Sequence, residues 1–229
     1  MPKKEYKIIS VGGSIIVPKE GFDIEFLKEF LQMILDRVKL GDKFILVTGG
    51  GATCRAYQQA AKEVADLSNE DLDWLGIYTT WYNAEFVRML FGDLAYKEVI
   101  KNPTQKIKTN KPVILAGGWK PGCSTDRDAV LLAKTYGVKE IINASNIDYV
   151  YTADPKLDPQ ARPIEKMSWT ELKKLVGDKW QAGANVPFDP MAVKEAEKLK
   201  LKLMFVKGTE IKEFKKILEG KEFSGTVIN

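Results

Sequence analysis

Asp148-Tyr149-Val150-Tyr151-Thr152-Ala153-Asp154-Pro155 is the stretch on which the reading of this chain turns. It follows a short apolar run, Glu140-Ile141-Ile142-Asn143-Ala144, that reads as a buried strand. Two upstream stretches share a related design, an apolar strand that runs into glycines and then into a helix. One is Ile8-Ile9-Ser10-Val11 into Gly12-Gly13-Ser14, and the other is Phe44-Ile45-Leu46-Val47-Thr48 into Gly49-Gly50-Gly51. Glycine lets the backbone approach a ligand closely, and the N–H groups that open a following helix can hold an anion. Two such loops and a tyrosine–aspartate turn describe one crevice for two phosphorylated ligands.

Outward from these loops, strand and helix alternate. Residues 6–11 read as the first strand. Ile24, Leu27, Phe30, Leu31, Ile34, Leu35 and Val38 recur with a helical period between Asp23 and Leu40. Gly41-Asp42 stops that helix and strand 44–48 follows. Ala52 to Ala65 and Asp71 to Phe91 read as two more helices, the latter ended by Gly92-Asp93. Segment 94–99 reads as a short strand or bend, 101–111 as a polar loop, and Val113-Ile114-Leu115-Ala116 as a buried strand feeding Gly117-Gly118. Thr125 to Tyr136 is a predicted helix closed by Gly137, 140–144 a strand, and 146–166 mostly turn. Ser168-Trp169-Thr170-Glu171 has the pattern of a capping box. Asp189-Pro190 places an N-cap before a proline at the first helical position of helix 191–200. Strand 201–206, helix 210–219 and a last edge strand at 225–228 complete the pattern. Strands separated by helices predict an α/β three-layer sandwich, with a mostly parallel central sheet covered on both faces.

The bulk composition narrows the class. The 229 residues suffice for one large α/β domain or two lobes sharing a sheet. A net charge of +4, with no basic face interleaved with aromatics, argues against nucleic acid as a partner. Cys54 and Cys123 have neither metal spacing nor a disulfide framework. No apolar run reaches membrane-spanning length, and no signal-peptide core follows Lys3-Lys4-Glu5, so the expectation is a soluble cytoplasmic protein with no membrane partner. The chain contains no histidine, which excludes a Ser-His-Asp or Cys-His nucleophile and a histidine-ligated zinc site. Chemistry must then come from carboxylates, lysine or arginine, backbone amides, hydroxyls and a bound cation.

Gly12-Gly13-Ser14, Gly49-Gly50-Gly51, Gly117-Gly118, Ser124-Thr125-Asp126, Tyr151-Thr152-Ala153-Asp154-Pro155 and Asp189-Pro190, taken in that order, carry a resemblance to the amino-acid kinase superfamily. Within it the chain looks most like the uridylate (UMP) kinases of the archaeal type, from about residue 6 to Gly225-Thr226. The resemblance implies γ-phosphoryl transfer from ATP to UMP with Mg2+ bridging ATP oxygens, and a homo-oligomer, commonly a hexamer. It also implies an acceptor (UMP) lobe over 1–115 and an ATP lobe over 116–229. Gly12, Gly13 and Ser14 would sit beneath the transferring phosphoryl group. Gly50, Gly51 and Arg55 match the acceptor-phosphate site, Asp73 the ribose carboxylate, and Ser124 and Thr125 hydroxyls near the acceptor. Asp126 and Asp189 match carboxylates that organise the reaction centre. Ser10, Gly12, Asn146, Tyr151 and Asp154 fall on the ATP side, and no residue is assigned as a metal ligand.

Each of these residues also has a purely structural reading. Thr125 with Asp128 fits a capping box, Asp189 is an N-cap, and Asp73 reads as a first-turn acid. Tyr151 reads as a packed aromatic, and Trp81, Tyr82, Phe86 and Met89 as core or subunit interface. The chain also departs from its superfamily. Ser10 and Asn146 stand where many relatives have lysine, and Tyr149 where glycine is usual. Trp119 and Arg127 occupy positions usually taken by small residues. The missing lysines leave Lys7, Lys120 and Arg127 as candidate compensating cations, and Trp119 and Arg127 open a route to another acceptor. The alternatives are a kinase for another small acid, or a non-catalytic nucleotide-binding or metal-oxyanion storage protein on the same fold.

Overall fold

The computed structural model describes residues 5–178 and 186–229, so Lys3 and Lys4 lie outside the described residues. Its nine strands among these residues are β1 (Tyr6–Val11), β2 (Lys43–Thr48), β3 (Val113–Ala116), β4 (Glu140–Ser145), β5 (Val150–Tyr151), β6 (Pro163–Ile164), β7 (Lys166–Met167), β8 (Lys202–Lys207) and β9 (Thr226–Ile228). The helices are α1 (Gly13–Ile16), α2 (Ile24–Lys39), α3 (Gly51–Val64), α4 (Asn69–Phe91), α5 (Thr125–Tyr136), α6 (Trp169–Val176), α7 (Pro190–Leu199) and α8 (Ile211–Leu218). Seven strands form one sheet in the order β3-β2-β1-β4-β8-β9-β7, and β5 pairs with β6 in a small separate hairpin. All pairings in the large sheet are parallel except β8 with β9.

Alternation along each strand divides the core. Ile8, Ile45, Ile114, Ile141 and Leu203 face one side, where Ala129, Leu132, Trp169, Leu172 and Val193 from α5, α6 and α7 cover them. Ile9, Leu46, Leu115, Ile142 and Met204 face the other, under Phe30, Ile34, Val87 and Phe214 from α2, α4 and α8. A sheet buried on both faces needs apolar residues at successive positions, which is why its central strands read as continuous apolar runs.

Two expectations are corrected, and one left open between strand and bend is resolved. The strand at 226–228 is internal, because β7 pairs with it in the segment expected to be mostly turn. A two-residue strand carries too little periodicity to be read. Segment 94–99 is a bend attached to β3 through single bridges at Ala95 and Ile100, after a 3-10 turn at Gly92–Leu94. Helix α4 begins at Asn69, capped by Ser68 and Asp71 in a reciprocal box, two residues before the predicted start.

Candidate active site

The order β3-β2-β1 runs one way from β1 and β4-β8 the other, so the chain reverses direction between β1 and β4. Open parallel sheets bind ligands outside the carboxyl ends of their strands at such a point. There Gly12 donates its amide to Ala144 O at 2.9 Å, joining the two halves.

The two glycine loops meet backbone to backbone. A Cβ on Gly13 would lie 2.1 Å from Gly51 N and 2.6 Å from Gly49 C, so no other residue fits there. Gly51 has φ +66, a conformation that glycine adopts without cost. The Gly49 amide donates to Val11 O, and the Ala52 amide to Val17 O. Arg55, one turn into α3, reaches Ser14 Oγ at 3.4 Å, so the expected acceptor-side arginine and the Gly12–Ser14 loop share one locus. Asn83 lies beneath them. Its buried amide donates to Gly49 O at 2.8 Å and to Gly50 O at 3.1 Å. Sequence reasoning missed Asn83, which shares the buried face of α4 with Thr79 and Thr80.

Asp126 stands at the floor of the crevice. Its Oδ1 accepts from Ser10 Oγ at 3.5 Å and from Asn143 Nδ2 at 3.3 Å, tying α5 to β1 and β4. Asp126 is half-buried. Burial first, and then the Asp189 carboxylate, push its carboxyl up to about 7. Hydrogen bonds from the Asp189 amide, Ser10 and Asn143 pull the other way. Asp189 itself is buried and capping: Oδ1 accepts from Met191 N and Ala192 N, and Oδ2 accepts the Ser124 hydroxyl. Its structural reading therefore holds, and Ser124 brings it to the start of α5.

The helix cap on α5 is Ser124, whose Oγ accepts from Arg127 N at 3.2 Å, and Thr125 is the first helical residue. The Thr125–Asp128 capping box does not form, because the Asp128 carboxylate turns inward to Trp119 N and Cys123 Sγ. Asp73 is not a first-turn acid either. It sits in the second turn of α4 and accepts the Gly122 amide at 2.9 Å. The Gly117-Gly118 loop rests on α4, with Gly118 N donating to Thr80 Oγ1 and Trp81 Nε1 donating to Gly118 O, both at 2.7 Å.

Asn146, Tyr151 and Asp154, expected on the ATP side, lie beyond β4, whereas Ser10, expected with them, is on β1 beside Asp126. Asn146 is exposed, Tyr151 donates its hydroxyl to Asp148 Oδ1 at 2.9 Å, and Asp154 Oδ1 accepts from Lys156 N. Tyr151 is half-buried on β5, and its hydroxyl is held by Asp148. Tyr149 does not adopt the glycine conformation: among described non-glycine residues only Lys200 has a positive φ. The turn is instead closed by Asp148, which accepts from the Tyr149 amide at 3.0 Å. Buried Thr226 fastens the hairpin to β9, accepting from Val150 N and donating to Ile164 O.

Of the three candidate cations, Lys7 lies at the opposite end of β1, about 16 Å from Gly12 at the rise of a strand. Arg127 pairs with Glu195 at 3.6 Å, leaving Lys120, which lies over the Trp119 ring on the crevice loop. Cys54 and Cys123 are free thiols.

A model of the amino acid kinase family matches residues 5–207. The uridylate kinase of Methanospirillum hungatei is 33% identical over 225 residues, covering 96% of this chain and 93% of that protein. That of Methanocorpusculum labreanum is 32% identical, with 96% and 94% covered. The crystal structure of uridylate kinase from Archaeoglobus fulgidus superposes with a TM-score of 0.82 at 31% identity, covering 97% of this chain and 100% of that one. UMP kinase from Bacillus anthracis, at 23% identity and a TM-score of 0.77, shares the fold.

Proposed function

The chain belongs to the amino acid kinase family, and on that premise we propose that it transfers the γ-phosphoryl group of ATP to UMP, giving UDP and ADP. The observation that carries this reading is the backbone contact of Gly13 with Gly49–Gly51, with Arg55 reaching across to Ser14. It puts a loop from each glycine strand and one guanidinium at a single point, as direct transfer between two phosphates requires. The near-full-length likeness to archaeal uridylate kinases supports UMP as the acceptor.

We assign Gly12, Gly13 and Ser14 to the transferring phosphoryl group, and Gly50, Gly51 and Arg55 to the phosphate of UMP. A guanidinium fork fits a phosphate in two parallel hydrogen bonds. Asp73, Ser124 and Thr125 are assigned to the nucleoside of UMP. Ser10, Asn146, Tyr151 and Asp154, with Gly12 again, are assigned to ATP, and Asp126 and Asp189 to the order of the centre. Asp189 acts by fixing Ser124 and the start of α7. We also propose an acceptor lobe over 1–115 and an ATP lobe over 116–229, with Ser124 and Thr125 reaching the acceptor from the second.

ATP is the co-substrate, and we include Mg2+ with it. Magnesium keeps much of its water and takes one or two carboxylates along with phosphate oxygens. Asp126, held by Ser10 and Asn143 at the crevice floor, fits that demand, whereas both oxygens of Asp189 are already engaged. When bound, the ion neutralises charge on the phosphate oxygens, and Lys120 is the protein cation placed to add to it.

No helix among the described residues is long and apolar enough to cross a membrane, and we place the protein in the cytoplasm. We further propose a homo-oligomer, a hexamer in the family pattern, that uses the outer face of α4. Tyr82 and Met89 are 74% and 63% exposed on that face, beside a groove of about 780 Å³. Of the other two residues expected in core or interface, Trp81 packs under Gly118 and Phe86 packs on Phe22.

ADP release from Mg-ATP with UMP, CMP, AMP, GMP or carbamate tests the reading. UMP-dependent turnover is expected, and Arg55→Ala should lower kcat/KM for UMP about a hundredfold. ATP binding without turnover on any acceptor would overturn it in favour of nucleotide binding or storage.

A further inference from the structure

We propose that Asp128 is a positioning residue that holds the β3–α5 loop in its acceptor-binding shape, a role that rests on the UMP-kinase reading for its functional meaning. Asp128 lies in the first turn of α5, between buried Ala129 and the loop that precedes the helix, with 1% of its surface exposed. Its Oδ2 accepts from Trp119 N at 3.1 Å, and its Oδ1 accepts from Cys123 Sγ at 3.2 Å. One carboxylate thus grips both ends of the bend Trp119-Lys120-Pro121-Gly122-Cys123. The bend also closes on itself, with Cys123 N donating to Lys120 O at 3.1 Å and Gly122 at φ +73.

From the opposite side Asp73 on α4 accepts the Gly122 amide. The loop is therefore suspended between two carboxylates, one on each wall of the crevice, and Asp73 is itself assigned to the nucleoside. A shift at Asp128 moves Gly122 against Asp73, and Ser124 against Asp189, in the same displacement.

The chemistry of this grip is costly if stability is its sole purpose. A buried carboxylate loses its hydration, and a thiol is a weak donor in return. Burial, the largest influence, pushes this carboxyl up to about 7, against the pull of Cys123, Trp119 and Arg127. An apolar side chain would avoid that cost but leave the Trp119 amide without its acceptor. Asparagine would keep the geometry: its oxygen accepts from Trp119 N, and its NH2 donates to the Cys123 sulfur, which also accepts weakly. The grip therefore depends on shape and hydrogen bonding more than on charge, which separates it from a role in binding metal or phosphate.

The test compares the full-length wild type with Asp128→Ala, Asp128→Asn and Cys123→Ala. Steady-state kinetics would be combined with ATP binding by calorimetry and amide exchange over peptides containing Trp119. Asp128→Ala should raise KM for UMP about tenfold with the ATP dissociation constant unchanged. Asp128→Asn should stay within about threefold of wild type, and Cys123→Ala, which loses one arm, should fall between them. Exchange at the Trp119 amide should accelerate in Asp128→Ala and not in Asp128→Asn. Wild-type KM and exchange in Asp128→Ala would overturn the proposal, as would equal losses for UMP and ATP. Should Asp128→Ala fail to fold, Cys123→Ala decides: a raised KM for UMP alone supports the grip, and unchanged kinetics overturn it. A wild type without UMP-dependent turnover defeats the kinase reading, and the exchange data then judge the grip by themselves.

Discussion

At the scale of single residues, Asp126 decides most. Its carboxyl is raised from 3.8 to about 7 in the fold. Between those values the folded chain keeps a proton that the unfolded chain releases, so this group's contribution to stability falls as pH rises through the window. Asp126→Asn removes that contribution. Thermal melts at pH 4 and pH 7 should show the variant gaining on wild type at the higher pH, and a constant difference would refute the assignment. In activity the sign reverses, because the carboxylate form is the one suited to a cation and prevails above about 7. Asp126→Asn should lower kcat and flatten its rise with pH.

At the scale of elements, Asn83 shows how α4 governs a loop it does not belong to. Asn83→Ala strips both glycine carbonyls of their donor inside the core, which costs about 2 kcal/mol. Urea denaturation should register that loss together with a raised KM for UMP, and an unchanged midpoint would mean that the loop holds itself. Regular elements were legible in the sequence wherever periodicity ran long. The Thr125–Tyr136 helix has its predicted bounds, and strands at β1, β2, β3 and β4 lie within a residue of expectation. What stayed illegible was pairing between distant side chains. Thr125–Asp128 satisfied a local capping rule, yet Ser124 took the cap because Asp128 had a better-placed amide in Trp119. Asp73 likewise looked like a helix-dipole acid until the fold brought Gly122 to it. The glycine loops were readable as strand-to-helix turns that need glycine. That Gly13 must touch Gly51 could be known only once β1 and β2 were neighbours in register.

At the scale of the whole molecule, the exposed aromatic and methionine face of α4 is the surface on which an assembly would rest. Tyr82→Glu combined with Met89→Glu should convert the sedimenting species to a smaller one with unchanged far-UV circular dichroism. An unaltered sedimentation coefficient would move the contact elsewhere. The sheet order has a consequence of another kind. β1 is made well before β4, one of its two neighbours, whose residues begin at Glu140. On a ribosome adding roughly 5–20 residues per second, the open edge of β1 waits on the order of ten seconds for that partner. During that wait Ile8, Ile9 and Val11 are a bare apolar ribbon able to pair with any other nascent chain. Synthesis of this chain therefore has a vulnerable interval that opens with β1 and ends only when β4 emerges, and holdase chaperones would act there.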